Sequence, residues 1–258
     1  MNECLNWLFG RGASVACGLG WTVPDEWNNY TRGTLVEKIK NKIKIEMDES
    51  STEVYHKLLI FLSRNTKDGI RHRFITTNWD YLLQKAIDEL NLKVLPKWLD
   101  ESWVFHLNGS VEDLPDNSRR SPFLLESDEA STRIPSVEAN AAYGKLIWSF
   151  KFIVVGMSFE CQIDKGFLAA LNRVEDDLPI GFSQWIIVNS NPKALEKVEQ
   201  NLRVALPRCR IETVCSRFEE WIYDGMPILR EKGFINALPR CSADREDHAP
   251  ADTGRYVS

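Results

Sequence analysis

Apolar residues in this chain fall into short continuous runs, separated by stretches with helical spacing. Runs of apolar and β-branched residues predict strands, which lie at residues 5–9, 73–77, 103–107, 152–155, 185–188 and 211–214. Apolar positions three and four apart predict helices, which lie at residues 81–90, 141–150, 164–174, 192–204 and 218–222, with two more between 26 and 64. This alternation predicts an α/β fold, namely a doubly wound, Rossmann-like parallel sheet with helices on both faces.

Three segments depart from the alternation. Residues 26–65 follow the first strand and carry the two extra helices, so we expect a helical insertion there. Residues 111–140 are polar and contain several prolines, which predicts a loop-rich lid, a small module or a protein interface. Residues 239–258 lack apolar periodicity and predict a disordered tail, which leaves residues 1–238 as one domain.

The composition is that of an ordinary globular protein, with 43% hydrophobic and 27% charged residues among 258. The net charge of −5 comes from interspersed acids and bases, which disfavours nucleic acid and anionic lipid as partners. No apolar run approaches the roughly 20 residues that span a bilayer, and the N-terminus does not resemble a signal peptide. We therefore expect a cytoplasmic protein. The six cysteines show no metal-ligand spacing, so we expect no metal site.

Glycine and polar residues lie at the ends of the first three predicted strands or directly after them. In chain order they are Gly10, Arg11, Gly12, Ala13 and Ser14, then Thr77, Asn78 and Asp80, then His106 and Asn108. Because the carboxyl ends of parallel strands meet at one edge of a sheet, we expect these residues to converge on one ligand. Glycines let the backbone approach a pyrophosphate, and a serine can donate to a phosphate or ribose oxygen. The sequence therefore predicts a phosphate-rich ligand.

The first of these loops differs from the dinucleotide fingerprint of dehydrogenases. Val15 stands where that fingerprint has its third glycine. No acidic residue closes a second strand about 20 residues later, so a nicotinamide dehydrogenase is disfavoured. Taken alone, Gly10 and Gly12 are more typical of an ordinary strand-to-helix turn, and the loop gains its meaning from the other two motifs.

In this order, the three motifs resemble those of the sirtuin family, whose members bind NAD through a glycine-rich loop, a Thr-Gln-Asn-x-Asp type motif and a later His-Gly motif. The resemblance continues through residues 152–158, which look like the family's Gly-x-Ser loop, and residues 185–191, which look like its strand ending in Asn. It implies that Gly156 and Ser158 approach the phosphates or the adenosine ribose, and that Asn189 bonds the adenosine ribose. Routine loop chemistry between strand and helix is the alternative for all three.

The resemblance implies the sharpest role for Asn78, which would bind the nicotinamide ribose and hold NAD for attack at the anomeric carbon. Asp80 would contact the nicotinamide side, because a carboxylate accepts hydrogen bonds from a carboxamide. The alternative is that either residue caps the helix predicted at 81–90. Arg11 replaces a small residue of the sirtuin loop, and it either clamps a phosphate or extends into solvent.

Asn108 is the main departure from the sirtuin pattern. Sirtuins place their general-base histidine at this position, and an asparagine side chain cannot take a proton near neutral pH. His106 lies two residues earlier, where a strand directs its side chain to the same face, so it either serves the site from a retracted position or is a hydrogen-bonded structural histidine. Deacylation needs the base. Hydrolysis of the nicotinamide glycosidic bond depends more on positioning and electrostatics, so Asn108 could orient a water or a ribose hydroxyl.

The chain also has no cysteines where sirtuin deacylases carry a zinc module. It thus resembles the zinc-free bacterial sirtuin-like proteins, several of which hydrolyse NAD in defence against phage, often within a larger assembly. The leading hypothesis is hydrolysis of NAD to nicotinamide and ADP-ribose, with Asn78 central and His106 or Asn108 assisting. The alternative is a binding module that senses NAD or ADP-ribose, and NAD-dependent deacylation comes third. A protein partner or a homo-oligomer is compatible with either of the first two.

Overall fold

The apolar runs of the sequence form the strands of a parallel sheet. The computed structural model describes residues 3–20, 22–92, 96–112, 123–125, 128, 150–177 and 183–236. In this part of the chain, six strands pair in the order β3-β2-β1-β4-β5-β6, and every pair is parallel. The strands are Glu3–Phe9 (β1), Ile70–Thr76 (β2), Phe105–His106 (β3), Lys151–Val155 (β4), Gln184–Asn189 (β5) and Arg210–Cys215 (β6).

Helices connect the strands and cover both faces of the sheet. They are Arg11–Ala16 (α1), Arg32–Glu49 (α2), Glu53–Asn65 (α3), Leu82–Glu89 (α4), Gln162–Asp177 (α5), Pro192–Ala205 (α6), Phe218–Tyr223 (α7) and Pro227–Glu231 (α8). A 3₁₀ helix at Asp25–Asn29 precedes α2. The predicted doubly wound, Rossmann-like sheet is confirmed, and so is the helical insertion after the first strand, which consists of α2 and α3.

Alternation of side chains along β1 divides the core in two. Trp7 and Phe9 pack with the helices of the insertion and with α4, α7 and α8. Leu8 points to the other face, where it packs with Phe152 and with α5 and α6. Successive side chains of a strand point to opposite faces, and helices on each face bury both rows. This double burial explains why the strand runs are continuously apolar.

The register of the central strands brings their carboxyl ends level. Phe9 at the end of β1 pairs with Thr76 of β2 on one side and with Val155 of β4 on the other. The chain winds from β1 outward to β2 and β3, then crosses to β4 on the opposite side of β1. Ligands of open parallel sheets bind at the carboxyl edge where the strand order reverses in this way. The residues that follow β1, β2 and β4 therefore meet at such a switch point.

Some predictions differ from the structure or fall outside it. The third strand is two residues long rather than the five predicted at 103–107. Helix α1 begins at Arg11, so the first loop has the form of the strand-to-helix turn that was the alternative to a phosphate loop. Of the polar segment 111–140, the structure describes residues 111–112, 123–125 and 128. The helix predicted at 141–150, apart from Phe150, and the tail 239–258 lie outside the described residues. No helix in the described ranges is long and apolar enough to cross a membrane.

Candidate functional site

A cavity of about 400 Å³ lies at the carboxyl edge of the sheet, where the residues following β1, β2 and β4 meet. It is called the site cavity below. The residues predicted from the sequence that line it are Gly10, Arg11, Ser14, Thr77, Asn78, Asp80, Asn108, Gly156 and Ser158. Separate stretches of sequence thus converge on one cavity, as expected for the switch point of a parallel sheet.

The glycines of the first loop permit a very close approach to the loop after β4. A Cβ atom on Gly12 would lie 2.7 Å from the Cα of Gly156, and a Cβ on Gly10 would lie 2.6 Å from the Cα of Met157. Gly156 also has a φ of +64°, a conformation that favours glycine. Packing of the two loops against each other therefore requires glycine at these positions, whether or not a ligand binds there.

Most backbone N–H groups of the first loop are already used. Gly10 N donates to Val155 O, Gly12 N to Gly156 O, and Ala13 N to Gly10 O. Ala13 itself is buried in the core. Arg11 and Gly12 are exposed. The Nη2 of Arg11 donates to Gly20 O at 3.3 Å, and Arg11 also lines the site cavity. A phosphate contact from this loop would therefore depend more on the Arg11 guanidinium than on a cradle of N–H groups.

Asn78 is held by Ser14 of α1 and by Gly10, the residue that precedes this helix. Its Nδ2 donates to Gly10 O at 2.9 Å and to Ser14 Oγ at 2.7 Å. A carbonyl oxygen only accepts hydrogen bonds, so these contacts fix which end of the amide points towards α1. Because both Nδ2 hydrogens are used within the protein, Oδ1 is the atom that Asn78 retains for a ligand.

Asp80, another lining residue, completes this network. Ser14 Oγ donates to Asp80 Oδ2 at 2.5 Å, and the backbone N–H of Leu82 donates to Oδ1 at 3.1 Å. Burial raises the pKa of the Asp80 carboxyl, and the hydrogen bonds from Ser14 and Leu82 oppose that rise. Asp80 thus binds the first N–H of α4, as the capping alternative expected, and also orients Ser14. The side chain of Asn78 bonds to α1 instead.

His106 lies outside the lining of the site cavity. Its Nδ1 is 3.1 Å from the carbonyl oxygen of Asn78, so this ring nitrogen carries the hydrogen and donates it. Its Nε2 is buried and has no hydrogen-bond partner among the described residues. Burial lowers the pKa of His106 to about 4, against which the bond to Asn78 acts. The ring is therefore neutral near pH 7 and supports the backbone of Asn78.

Asn108 lines the site cavity and holds the same loop. Its Nδ2 donates to Thr77 O at 2.9 Å, while its backbone carbonyl accepts from Leu124 N at 2.9 Å. Its Oδ1 is buried without a hydrogen-bond partner in the part of the chain that the structure describes. An unsatisfied buried acceptor is costly, and a ligand hydroxyl or a water would satisfy it. The structure therefore leaves Asn108 able to orient such a group.

Comparisons with known proteins do not assign this chain to a family. No model of a known protein family matches the chain, and no curated protein matches it significantly. The sirtuin resemblance of the motifs stays a prediction, so the interpretation of the site rests on its own geometry and chemistry.

A second cavity of about 390 Å³ lies beside the first, and Gly156 lines both. Gly12 and Asn189 line the second cavity rather than the first, so the predicted residues divide between two neighbouring spaces. Asn189 Oδ1 accepts a 2.9 Å hydrogen bond from Asn191 N at the start of α6. Arg217 and Glu219 also line this cavity, so its wall contains one basic and one acidic residue.

Sequence reasoning missed several residues of the site cavity, among them Ile43, Trp79, Cys161 and Asp164. Trp79 stacks on Phe123 with ring centroids 4.8 Å apart. Asp164 follows β4 in the first turn of α5, and its place soon after Gly156 and Ser158 was the one local signal that could have indicated it. No three or more His, Cys, Asp or Glu side chains among the described residues come together as a metal site.

Proposed function

We propose that the protein binds NAD across the two cavities and hydrolyses it to nicotinamide and ADP-ribose, as a sirtuin-like NAD hydrolase. The observation that carries this proposal is the linked set of Asn78, Ser14 and Asp80 on the wall of the site cavity. It presents one fixed amide oxygen at the switch point of the sheet. An acceptor held in this way suits a ribose hydroxyl of the ligand.

The two cavities suit the two halves of a dinucleotide. The nicotinamide ribose would lie in the site cavity beside Asn78, and the adenosine ribose would lie in the second cavity beside Asn189. The pyrophosphate would pass Gly156, which lines both cavities and has no side chain to obstruct it. Arg11 lines the site cavity as a cation for a phosphate oxygen.

The chemistry of hydrolysis fits the groups that line the site cavity. When the bond between C1′ and the nicotinamide nitrogen breaks, the ring nitrogen takes the electron pair and leaves neutral, so no acid has to protonate it. The ribose passes through an oxocarbenium-like state, which positioning and electrostatic stabilisation favour. Asn78 would hold the ribose, and the unsatisfied Oδ1 of Asn108 would orient a water or a ribose hydroxyl.

The geometry favours hydrolysis over deacylation. Deacylation would need a base near the ribose, and His106 lies outside the cavity lining with a pKa lowered to about 4. His106 then serves as a positioning residue for Asn78 rather than as a base. The position of His106 outside the cavity lining also supports a second candidate, a module that binds NAD or ADP-ribose without turnover. A role in defence against phage rests on the resemblance of the motifs to zinc-free bacterial proteins.

Nicotinamide release from NAD, with NAD affinity measured calorimetrically on the same samples, tests this proposal. We expect the wild-type protein to release nicotinamide and an Asn78→Ala variant to lose release. Asn29→Ala changes an exposed asparagine outside both cavities and is the matched control. Saturable binding without product in the wild type would support the binding module instead. If the wild-type protein shows no NAD binding and releases no product, NAD is refuted as the ligand.

A further inference from the structure

Residues 123–125 contact two residues of the site cavity. The ring of Phe123 stacks on that of Trp79 with centroids 4.8 Å apart, and Trp79 lines the cavity. The backbone N–H of Leu124 donates to the carbonyl oxygen of Asn108 at 2.9 Å, and Asn108 also lines the cavity. Leu124 is itself fully buried. This short segment therefore supports the cavity wall through one aromatic stack and one backbone hydrogen bond.

Arg32, at the start of α2, holds the 123–125 segment. Its Nη2 donates to Phe123 O at 2.6 Å and to Asp128 Oδ2 at 2.9 Å, and its Nε donates to Asp128 Oδ1 at 2.6 Å. The same carboxylate accepts a hydrogen bond from Leu125 N at 2.9 Å. A guanidinium that meets both oxygens of a carboxylate fixes its orientation as well as its position. The segment is thus tied to α2 both directly and through Asp128.

The position of Asn108 depends on two hydrogen bonds, and the 123–125 segment supplies one of them. The side-chain Nδ2 of Asn108 donates to Thr77 O, while its backbone carbonyl accepts from Leu124 N. These bonds place its buried Oδ1, which has no hydrogen-bond partner among the described residues. Arg32 does not line the site cavity. Its effect on a ligand there would therefore pass through the residues that the segment contacts.

We propose that Arg32 is a positioning residue for the NAD hydrolysis proposed above, on which this inference rests. Through the 123–125 segment it keeps Asn108 and Trp79 in place, so that the Oδ1 of Asn108 can orient the attacking water or a ribose hydroxyl. A displacement of about 1 Å at a reacting group can cost about 100-fold in rate. Loss of Arg32 would thus lower turnover more than NAD affinity, because Arg32 lies outside the cavity lining.

An Arg32→Ala variant tests this role, with Arg203→Ala as the matched control. The two arginine side chains are 52% and 54% exposed and each pairs with a carboxylate, but Arg203 pairs with Glu199 on α6 and lines neither cavity. Nicotinamide release, calorimetric NAD affinity and the melting temperature are measured for both variants and the wild type. We expect Arg32→Ala to lower kcat by about 10-fold or more. Its NAD affinity and melting temperature should stay close to those of Arg203→Ala.

Two further measurements separate positioning from a general loss of structure. Backbone hydrogen exchange reports on the 123–125 segment whether or not the protein turns NAD over. The N–H groups of Leu124 and Leu125 should exchange faster in Arg32→Ala than in the wild type, and Arg203→Ala should leave them unchanged. An Arg32→Lys variant keeps the cation and loses the bidentate geometry. Its kcat should lie between those of Arg32→Ala and the wild type.

Each other outcome would overturn a defined statement. Faster exchange in Arg32→Ala with kcat equal to that of Arg203→Ala would overturn the positioning role and leave the proposed hydrolysis standing. Unchanged exchange of Leu124 and Leu125 would show that Arg32 does not hold the segment. Parallel losses of kcat, NAD affinity and melting temperature would assign Arg32 to folding. A wild-type protein that binds NAD and never releases nicotinamide would overturn the hydrolysis itself, and the role of Arg32 in it.

Discussion

Asn78 and Ser14 are joined by a 2.7 Å hydrogen bond from the amide Nδ2 to the hydroxyl oxygen. The two residues belong to different strand ends, since Ser14 lies in α1 after β1 and Asn78 follows β2. The hydroxyl of Ser14 donates its hydrogen bond to Asp80, so donor and acceptor are fixed at each step from Asn78 to Ser14 to Asp80. A ligand would thus meet an amide that is already oriented, which limits the entropy lost on binding.

Replacement of Ser14 by alanine is expected to destabilise the protein. Ser14 is 3% exposed, so the variant would leave a buried hydrogen of Asn78 and a buried oxygen of Asp80 without their partner. We expect a loss of about 1–3 kcal/mol in the free energy of unfolding, measured by urea denaturation. Ser63→Ala, at an exposed serine of α3, should change it by less than about 0.5 kcal/mol. Equal losses in the two variants would contradict the structural role of the network.

Replacement of Gly156 by alanine is expected to be more damaging. Its Cβ would lie 2.5 Å from the backbone nitrogen of Ala13, and its φ of +64° is strained for alanine. Together we expect a loss of about 2–5 kcal/mol, measured as a lower melting temperature. Gly33→Ala is the matched control, because a Cβ at Gly33 in α2 meets nothing within 4 Å. A Gly156→Ala protein as stable as this control would mean that the two loops are not packed as described.

The buried histidines should make stability fall in mild acid. Burial lowers the pKa of His106 to about 4 and that of His72 to about 3, whereas an unfolded histidine has a pKa of about 6.5. Below pH 6.5 the unfolded state therefore binds more protons than the folded state, and stability falls as the pH drops. Each histidine adds up to about 1.4 kcal/mol per pH unit, until the pH reaches its folded pKa.

The His106 contribution can be isolated with a His106→Gln variant. The raised pKa of Asp80 acts in the opposite direction, so the useful quantity is the difference between the variant and the wild type. Urea denaturation between pH 7.5 and pH 5 should show that the free energy of unfolding falls less steeply in the variant than in the wild type. The variant is the less stable of the two at pH 7.5. Two parallel curves would show that His106 is not buried as a neutral ring.

Asp128 is expected to hold residues 123–125 against the cavity wall. Its carboxylate accepts from Arg32 Nε at 2.6 Å, from Arg32 Nη2 at 2.9 Å and from Leu125 N at 2.9 Å. Since the Arg32 side chain is half exposed, most of the destabilisation by Asp128→Ala should come from loss of the buried hydrogen bond to Leu125 N. We expect a loss of about 1–2 kcal/mol in urea denaturation. Lys42→Ala, which removes the exposed pair with Glu46, should cost less than about 0.5 kcal/mol.

The sequence was most informative where the local pattern and the tertiary structure agree. Residues 152–155 form a strand because a fully apolar run suits a position covered on both faces. Asn191 caps α6, as Asn191-Pro192 predicted, with Oδ1 accepting from the N–H groups of Lys193 and Ala194. These features depend on neighbours in the chain, which a single sequence displays.

The sequence was less informative where distant contacts decide. The third strand pairs with β2 over two residues only, and beyond it the backbone N–H groups of Leu107 and Val111 donate to Thr76 O at the end of β2 and to Trp79 O in the turn that follows. The close approach of Gly12 in α1 to Gly156 is another such contact, because Gly156 lies far away in the sequence. Ile43 and Asp164 reach the cavity through the packing of whole helices, and no local pattern marks an inward-facing residue as a ligand contact.

The contribution of Ile43 to the site cavity separates two tasks within the chain. The sheet and its loops supply the polar groups, while one apolar wall comes from α2, which belongs to the insertion. Substitutions on the inward side of α2 would reshape the space offered to a ligand without disturbing strand pairing or the network around Asn78. Evolution and protein engineering thus have a route to new ligand preferences that leaves the hydrogen bonds among Asn78, Ser14 and Asp80 intact.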